Sequence, residues 1–154
     1  MKMKRSVMFK NLCGEISVLF SYPKHLFILA SRLVIAYGFA KPALLKLGNI
    51  TTTAQWFASV SIPFPTFTAY LVSGIETLGI ILLILGLLTR SISVLLSFVM
   101  MGAMFFVHAS NGYSVANNGI EIPLYYMLFL FIFASFGGGK YSLDYVLFKD
   151  GNDE

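Results

Sequence analysis

The chain has 154 residues, of which 57% are hydrophobic and 12% charged, with a formal net charge of +4. A soluble domain of this length ordinarily carries about twice that charged fraction, so the composition argues against a water-soluble fold. The single cysteine, Cys13, excludes an internal disulfide, a CxxC redox pair and a thiolate metal cluster within one chain; neither a bound metal nor a nucleic-acid partner is expected.

Residues 1–24 read as a cytoplasmic leader. Met8, Leu12, Ile16, Leu19 and Phe20 recur at three- and four-residue steps, which predicts an amphipathic helix that Pro23 ends. Lys10 and Glu15 interrupt its apolar part, unlike the core of a signal peptide. A basic amphipathic helix suits the interface of an anionic membrane.

Four apolar blocks follow, at about 25–45, 66–88, 91–108 and 121–137. Each approaches the ~17–25 residues that a helix needs to cross a bilayer core. LGIILLILGLL (78–88) lacks the alternation of a barrel strand. The fold class expected is therefore all-α: a polytopic membrane protein whose residues 25–148 form a four-helix transmembrane bundle, preceded by the interfacial helix and followed by a short polar tail, 149–154.

Span 1 carries Arg32 about two turns from its start, then Lys41-Pro42, where the proline should loosen the helix, and Lys46. Lys41 and Lys46 can snorkel outward. Arg32 either snorkels to the other interface or finds a partner inside the bundle. In the first connection, Thr51–Thr53 would cap a short helix running through Val60, with Trp56 and Phe57 at the interface, and Pro63 and Pro65 beyond it.

Span 2 holds Glu76 near its middle, where a carboxylate costs roughly 2.5–3.5 kcal/mol. Ser73, Gly79 and Gly86 share its side of the wheel, a small-residue stripe that admits a neighbouring helix. Arg32 is the expected partner of Glu76, as the only cation deep enough. The short turn LLTRS makes spans 2 and 3 antiparallel neighbours. In span 3, Ser97, Met101, Met104 and His108 fall on one face, a soft wall leading to His108.

Span 4 opens on Glu121-Ile122-Pro123, an acidic helix start with an early proline. The turn ASNGYSVANNG brings His108 and Glu121 to one depth, so the two would lie together and titrate as a pair. The candidate site is thus a polar cluster of Arg32, Lys41, Glu76, His108 and Glu121, with Tyr37, Met104, Phe106 and Tyr125 lining a ligand. A structural network that locks the helices is the competing reading of the same residues.

Lys and Arg are distributed unequally. Lys2, Lys4, Arg5, Lys10, Lys24, Arg90, Lys140 and Lys149 fall on one side, and Lys41 and Lys46 on the other. The positive-inside rule then puts both termini in the cytoplasm and the His108–Glu121 turn outside.

The ordered set of features resembles the DoxX family of small four-helix bacterial membrane proteins. It comprises Arg32 with Lys41 and Lys46, FASVSIPFP at 57–65, ETLGIILLILGLLTR from Glu76 to Arg90, VHASNG at 107–112, GIEIPLYY at 119–126 and GGGKYSLD at 137–144. The resemblance implies a bacterial inner-membrane bundle and a link to membrane redox or oxidative and thiol-stress machinery. In that setting the cluster would hydrogen-bond a quinone and supply its protons, the chain being at most a quinone-interacting or non-catalytic subunit of an oxidoreductase complex. The other two readings are a scaffold or assembly partner, alone or as an oligomer, and a small transporter. The transporter reading lacks the paired broken helices such proteins use.

Overall fold

The computed structural model describes residues 23–148, together with Gly14 and Glu15; the expected leader helix and the polar tail lie outside the described residues. Every element among the described residues is helical. We number them α1 (Lys24–Gly48), α2 (Ile50–Ser59), α3 (Pro65–Leu85), α4 (Thr89–Ala103), α5 (Glu121–Phe136) and α6 (Leu143–Phe148). A π-helical segment, Met104–His108, continues α4, and two 3-10 turns occupy the loop before α5.

Three stretches are long and apolar enough to cross a membrane: Lys24–Gly48, Pro65–Leu85 and Thr89–Asn111. Helix α5 is equally apolar but shorter, with 16 residues. The boundaries follow local chemistry. Helix α1 runs on through Pro42. The cap of α2 is Asn49 rather than Thr51–Thr53: its side-chain oxygen accepts the Thr52 N–H at 3.1 Å, because an N-cap must precede the first free amides. Helix α3 starts on Pro65 and stops at Gly86, whose φ of +66° favours a residue without a Cβ.

Helix α1 packs along α3, α4 packs along α5, and α3 joins the two pairs through α4; α2 lies against α3. The main core is built from Ile35, Ala36 and Phe39 of α1, Leu83 of α3, Ile92, Leu96 and Met100 of α4, and Leu130 and Phe133 of α5. Small residues set the spacing. A Cβ on Gly79 would stand 2.8 Å from the Leu96 side chain, and one on Gly38 would stand 1.9 Å from the Tyr126 hydroxyl. The predicted small-residue face of span 2 is thus the packed face: Ser73, Glu76 and Gly79 are all buried. Outside this core, Phe27, Val34, Tyr37, Phe67 and Phe98 are among many large apolar side chains left exposed, as expected of helices solvated by lipid.

Candidate functional site

Glu76 is 1% exposed and is held by one partner among the described residues. Lys46 Nζ lies 2.5 Å and 2.7 Å from its two carboxylate oxygens. The expected Arg32–Glu76 pair does not form. Arg32 is fully buried, but its Nη1 donates to the Leu83 carbonyl at 3.2 Å and its Nη2 to the Tyr141 carbonyl. Seven residues separate Leu83 from Glu76, a rise of about 10 Å along α3, which a side chain already bound at Leu83 does not span. Its Nε has no partner among the described residues.

Arg32 belongs instead to a lock at the end of the protein opposite the His108–Glu121 turn. A Cβ on Gly86 would fall 1.9 Å from Arg32 Nη1, so glycine makes the room in which the guanidinium sits. Beside it Asp144 accepts the N–H groups of Leu88 at 2.6 Å and Thr89 at 2.8 Å, capping α4 from a distant segment. The GGGKYSLD stretch is thereby tied to the turn between α3 and α4.

At the other end, Lys46 and Glu76 stand in the wall of a cavity of about 640 Å³. Its remaining lining is mostly apolar: Phe39 and Tyr126 with ring centroids 5.4 Å apart, Trp56 and Phe57 from α2, and Val99, Met100 and Ala103 from α4. His108 stands in the same wall. Its Nδ1 donates to the Asn118 carbonyl at 2.7 Å. Since a carbonyl only accepts, Nδ1 carries the hydrogen of this bond, and Nε2 makes no hydrogen bond among the described residues.

His108 and Glu121 do not meet. Each binds the backbone of the loop between them. Glu121 Oε2 accepts the Val115 N–H at 2.8 Å and its Oε1 the Tyr125 hydroxyl at 3.2 Å, while His108 holds Asn118. The loop's short turns leave unpaired amides and carbonyls, and those claim both side chains. Lys41 is exposed and makes no hydrogen bond among the described residues. Of the five polar residues expected to cluster, the cavity gathers Glu76 and His108; Arg32, Lys41 and Glu121 lie elsewhere.

The expected lining needs similar correction. Phe106 lines the cavity, but Tyr37 is 83% exposed, and neither Met104 nor Tyr125 borders it. Their places are taken by Phe39, Met100 and Tyr126. On α4 the helix widens into a π turn at Met104–His108, where Phe106, Val107 and His108 line the cavity and Met104 does not; Met101, a turn earlier, is half exposed. Lys46 is the residue that reading the sequence passed over. The signal was present: Arg32, Ala36, Phe39, Ala43 and Lys46 follow one helical stripe, and the first four are buried.

The arrangement can therefore hold an apolar or aromatic molecule with a polar end. An ammonium donor, a carboxylate and an imidazole face it, all able to exchange protons, in a wall otherwise apolar. Several lining side chains, including Leu71, Leu95 and Phe98, are themselves about half exposed, so the cavity borders the lipid-facing surface between α3 and α4.

The DoxX family model matches residues 27–109. A Haemophilus influenzae protein described as uncharacterized is 32% identical over 130 residues, covering 79% of this chain and 83% of that protein. A second uncharacterized Haemophilus influenzae protein is 46% identical over 84 residues, covering 51% of this chain and 62% of its own. A Bacillus subtilis protein named "Putative oxidoreductase CatD" is 33% identical over 76 residues, 49% of this chain and 55% of that one. No solved structure matches the chain at a significant level.

Proposed function

This chain belongs to the DoxX family of membrane proteins, and on that premise we propose that it is a subunit of membrane redox or oxidative-stress machinery that binds a quinone-type molecule. The observation that carries the reading is the Lys46–Glu76 ion pair in the wall of an apolar cavity of about 640 Å³. Holding a buried carboxylate and its lysine against an apolar wall is costly, and it is explained if a polar ring oxygen completes the pair's hydrogen bonding. Lys46 would donate to a carbonyl oxygen. Glu76 and His108 would take up or release the protons that accompany quinone reduction. Phe39, Phe106 and Tyr126 would pack on the ring. The half-exposed lining between α3 and α4 supports arrival of the ligand from the bilayer. The oxidoreductase name of the Bacillus subtilis relative agrees with this class of work.

The setting proposed is a bacterial inner membrane, with α1, α3, α4 with its π extension, and α5 as four spans. Arg90 and Lys140 lie at the end where Asp144 caps α4, which by the positive-inside rule faces the cytoplasm with both termini.

A second reading, a scaffold or assembly partner, is favoured by the Arg32 and Asp144 contacts, which join distant segments without facing the large cavity. Native mass spectrometry of the protein extracted from its own membrane separates the two. The quinone reading expects a co-purifying quinone that Glu76→Gln loses. A protein partner with no small ligand would replace it with the scaffold.

A further inference from the structure

A second cavity, of about 410 Å³, lies at the opposite end of the molecule and takes no part in the site above. Arg90, Ser91, the run Gly137-Gly138-Gly139 and Asp144 form its polar wall, and Leu88, Phe136 and Phe148 its apolar one. Arg90 is exposed and makes no hydrogen bond or ion pair among the described residues. Its guanidinium lies along Gly137: a Cβ there would stand 3.3 Å from Arg90 Nε. The N–H groups of Gly138 and Gly139 likewise donate to no acceptor among the described residues. Behind Gly138 sits the Thr89 hydroxyl, fully buried and without a partner among the described residues. The one acidic group, Asp144, is already committed. Both its oxygens accept backbone N–H groups, and its charge is felt by the guanidinium of Arg32. What remains is a pocket rich in donors whose guanidinium makes no ion pair with Asp144, flanked by aromatic and aliphatic surface, at the end of three apolar helices.

Donors without acceptors call for an anion, and a guanidinium beside glycine amides suits the oxygens of a phosphate. We propose that this cavity binds the phosphate of an anionic phospholipid headgroup, with Arg90 as its cation, the glycine amides as further donors, and the first carbons of the acyl chains against Leu88, Phe136 and Phe148. The position agrees with the ligand. The turn Gly86–Leu88 and the glycine run end the helices α3 and α5, which places both where a bilayer's headgroups begin. A free phosphate shares the headgroup's chemistry but leaves the apolar wall uncovered.

The test uses the full-length protein in mild detergent, with native mass spectrometry counting bound lipid during titration by phosphatidylglycerol, by phosphatidylcholine and by inorganic phosphate. The expected result is one retained phosphatidylglycerol, weaker binding of phosphatidylcholine, and no displacement by inorganic phosphate. Arg90→Gln should weaken phosphatidylglycerol binding roughly ten- to a hundredfold, the loss of charge-assisted hydrogen bonds, and Arg90→Lys by less. Ser91→Glu is the second variant. It puts a carboxylate in the first turn of α4, which favours the helix, and it should expel the anion by repulsion in a protein that still folds. Equal lipid retention in wild type, Arg90→Gln and Ser91→Glu overturns the proposal. Displacement of the lipid by inorganic phosphate overturns the lipid as its source.

Discussion

Lys46 and Glu76 form a two-oxygen contact, at 2.5 Å and 2.7 Å, between the far end of α1 and the middle of α3. The two residues are unequal partners. Glu76 is 1% exposed, whereas the Lys46 side chain is 22% exposed. Lys46 can therefore swing away from the site and Glu76 cannot.

That asymmetry sets an order of cost. Lys46→Met strands a buried carboxylate and should lower stability by about 3 kcal/mol. Glu76→Gln leaves a lysine that can reach the exterior and should cost about 1 kcal/mol. The double variant should recover much of the Lys46→Met loss. Denaturant unfolding in mild detergent measures all three, and simple additivity would mean that the two groups do not interact.

Arg32 satisfies two carbonyls, those of Leu83 and Tyr141. Arg32→Met should cost roughly 2–4 kcal/mol through the acceptors it leaves bare. Gly86→Ala should act in the same direction, since its φ is +66° and its Cβ would occupy the guanidinium's place. The swapped pair Arg32→Glu with Glu76→Arg should rescue nothing. Recovery in the swap would restore a direct Arg32–Glu76 pair and refute the geometry described here.

His108 and Glu121 each clamp the same loop without touching. Because they hold one loop, His108→Ala and Glu121→Ala should be coupled by about 0.5–1 kcal/mol in a double-mutant cycle. Strict additivity would mean that the two clamps hold independent parts of the loop.

Gly102 lines the large cavity, and a Cβ built on it meets nothing within 4 Å. Gly102→Leu should fill part of that space. It should hold or raise the melting temperature, because glycine in a helix costs about 1 kcal/mol relative to alanine. Binding of a short-tailed quinone analogue, followed by quenching of Trp56 fluorescence, should fall sharply. Unchanged binding in a folded Gly102→Leu variant would move the ligand out of this cavity.

The span positions were legible in the sequence because hydropathy and the backbone's need for internal hydrogen bonds act on whole segments. The site was only half legible. Glu76 stood out because a carboxylate just ahead of LGIILLILGLL, inside one apolar span, is costly unless it is paired. Its partner did not, because depth counted along one helix ignores how far a long side chain reaches along the next. Lys46 extends inward from the end of α1, while Arg32 is claimed by carbonyls that the sequence leaves implicit. Tyr37 was misplaced by two residues and Tyr125 by one: the positions that line the cavity are Phe39 and Tyr126. A one-residue step turns a side chain by about 100°, enough to exchange cavity for lipid. The π-helical turn was invisible for a related reason, since no residue type announces it.

Arg32 Nη2 reaches the carbonyl of Tyr141, 109 positions later in the chain. A ribosome releases α1 long before it makes that acceptor. During synthesis the first span must therefore wait in the translocon or the membrane with a cation only partly satisfied, and the last segment to emerge closes the account. A chain cut short before Tyr141 would carry every apolar span yet keep an open arginine in its first one, a mark by which a membrane protease could tell unfinished copies from finished ones.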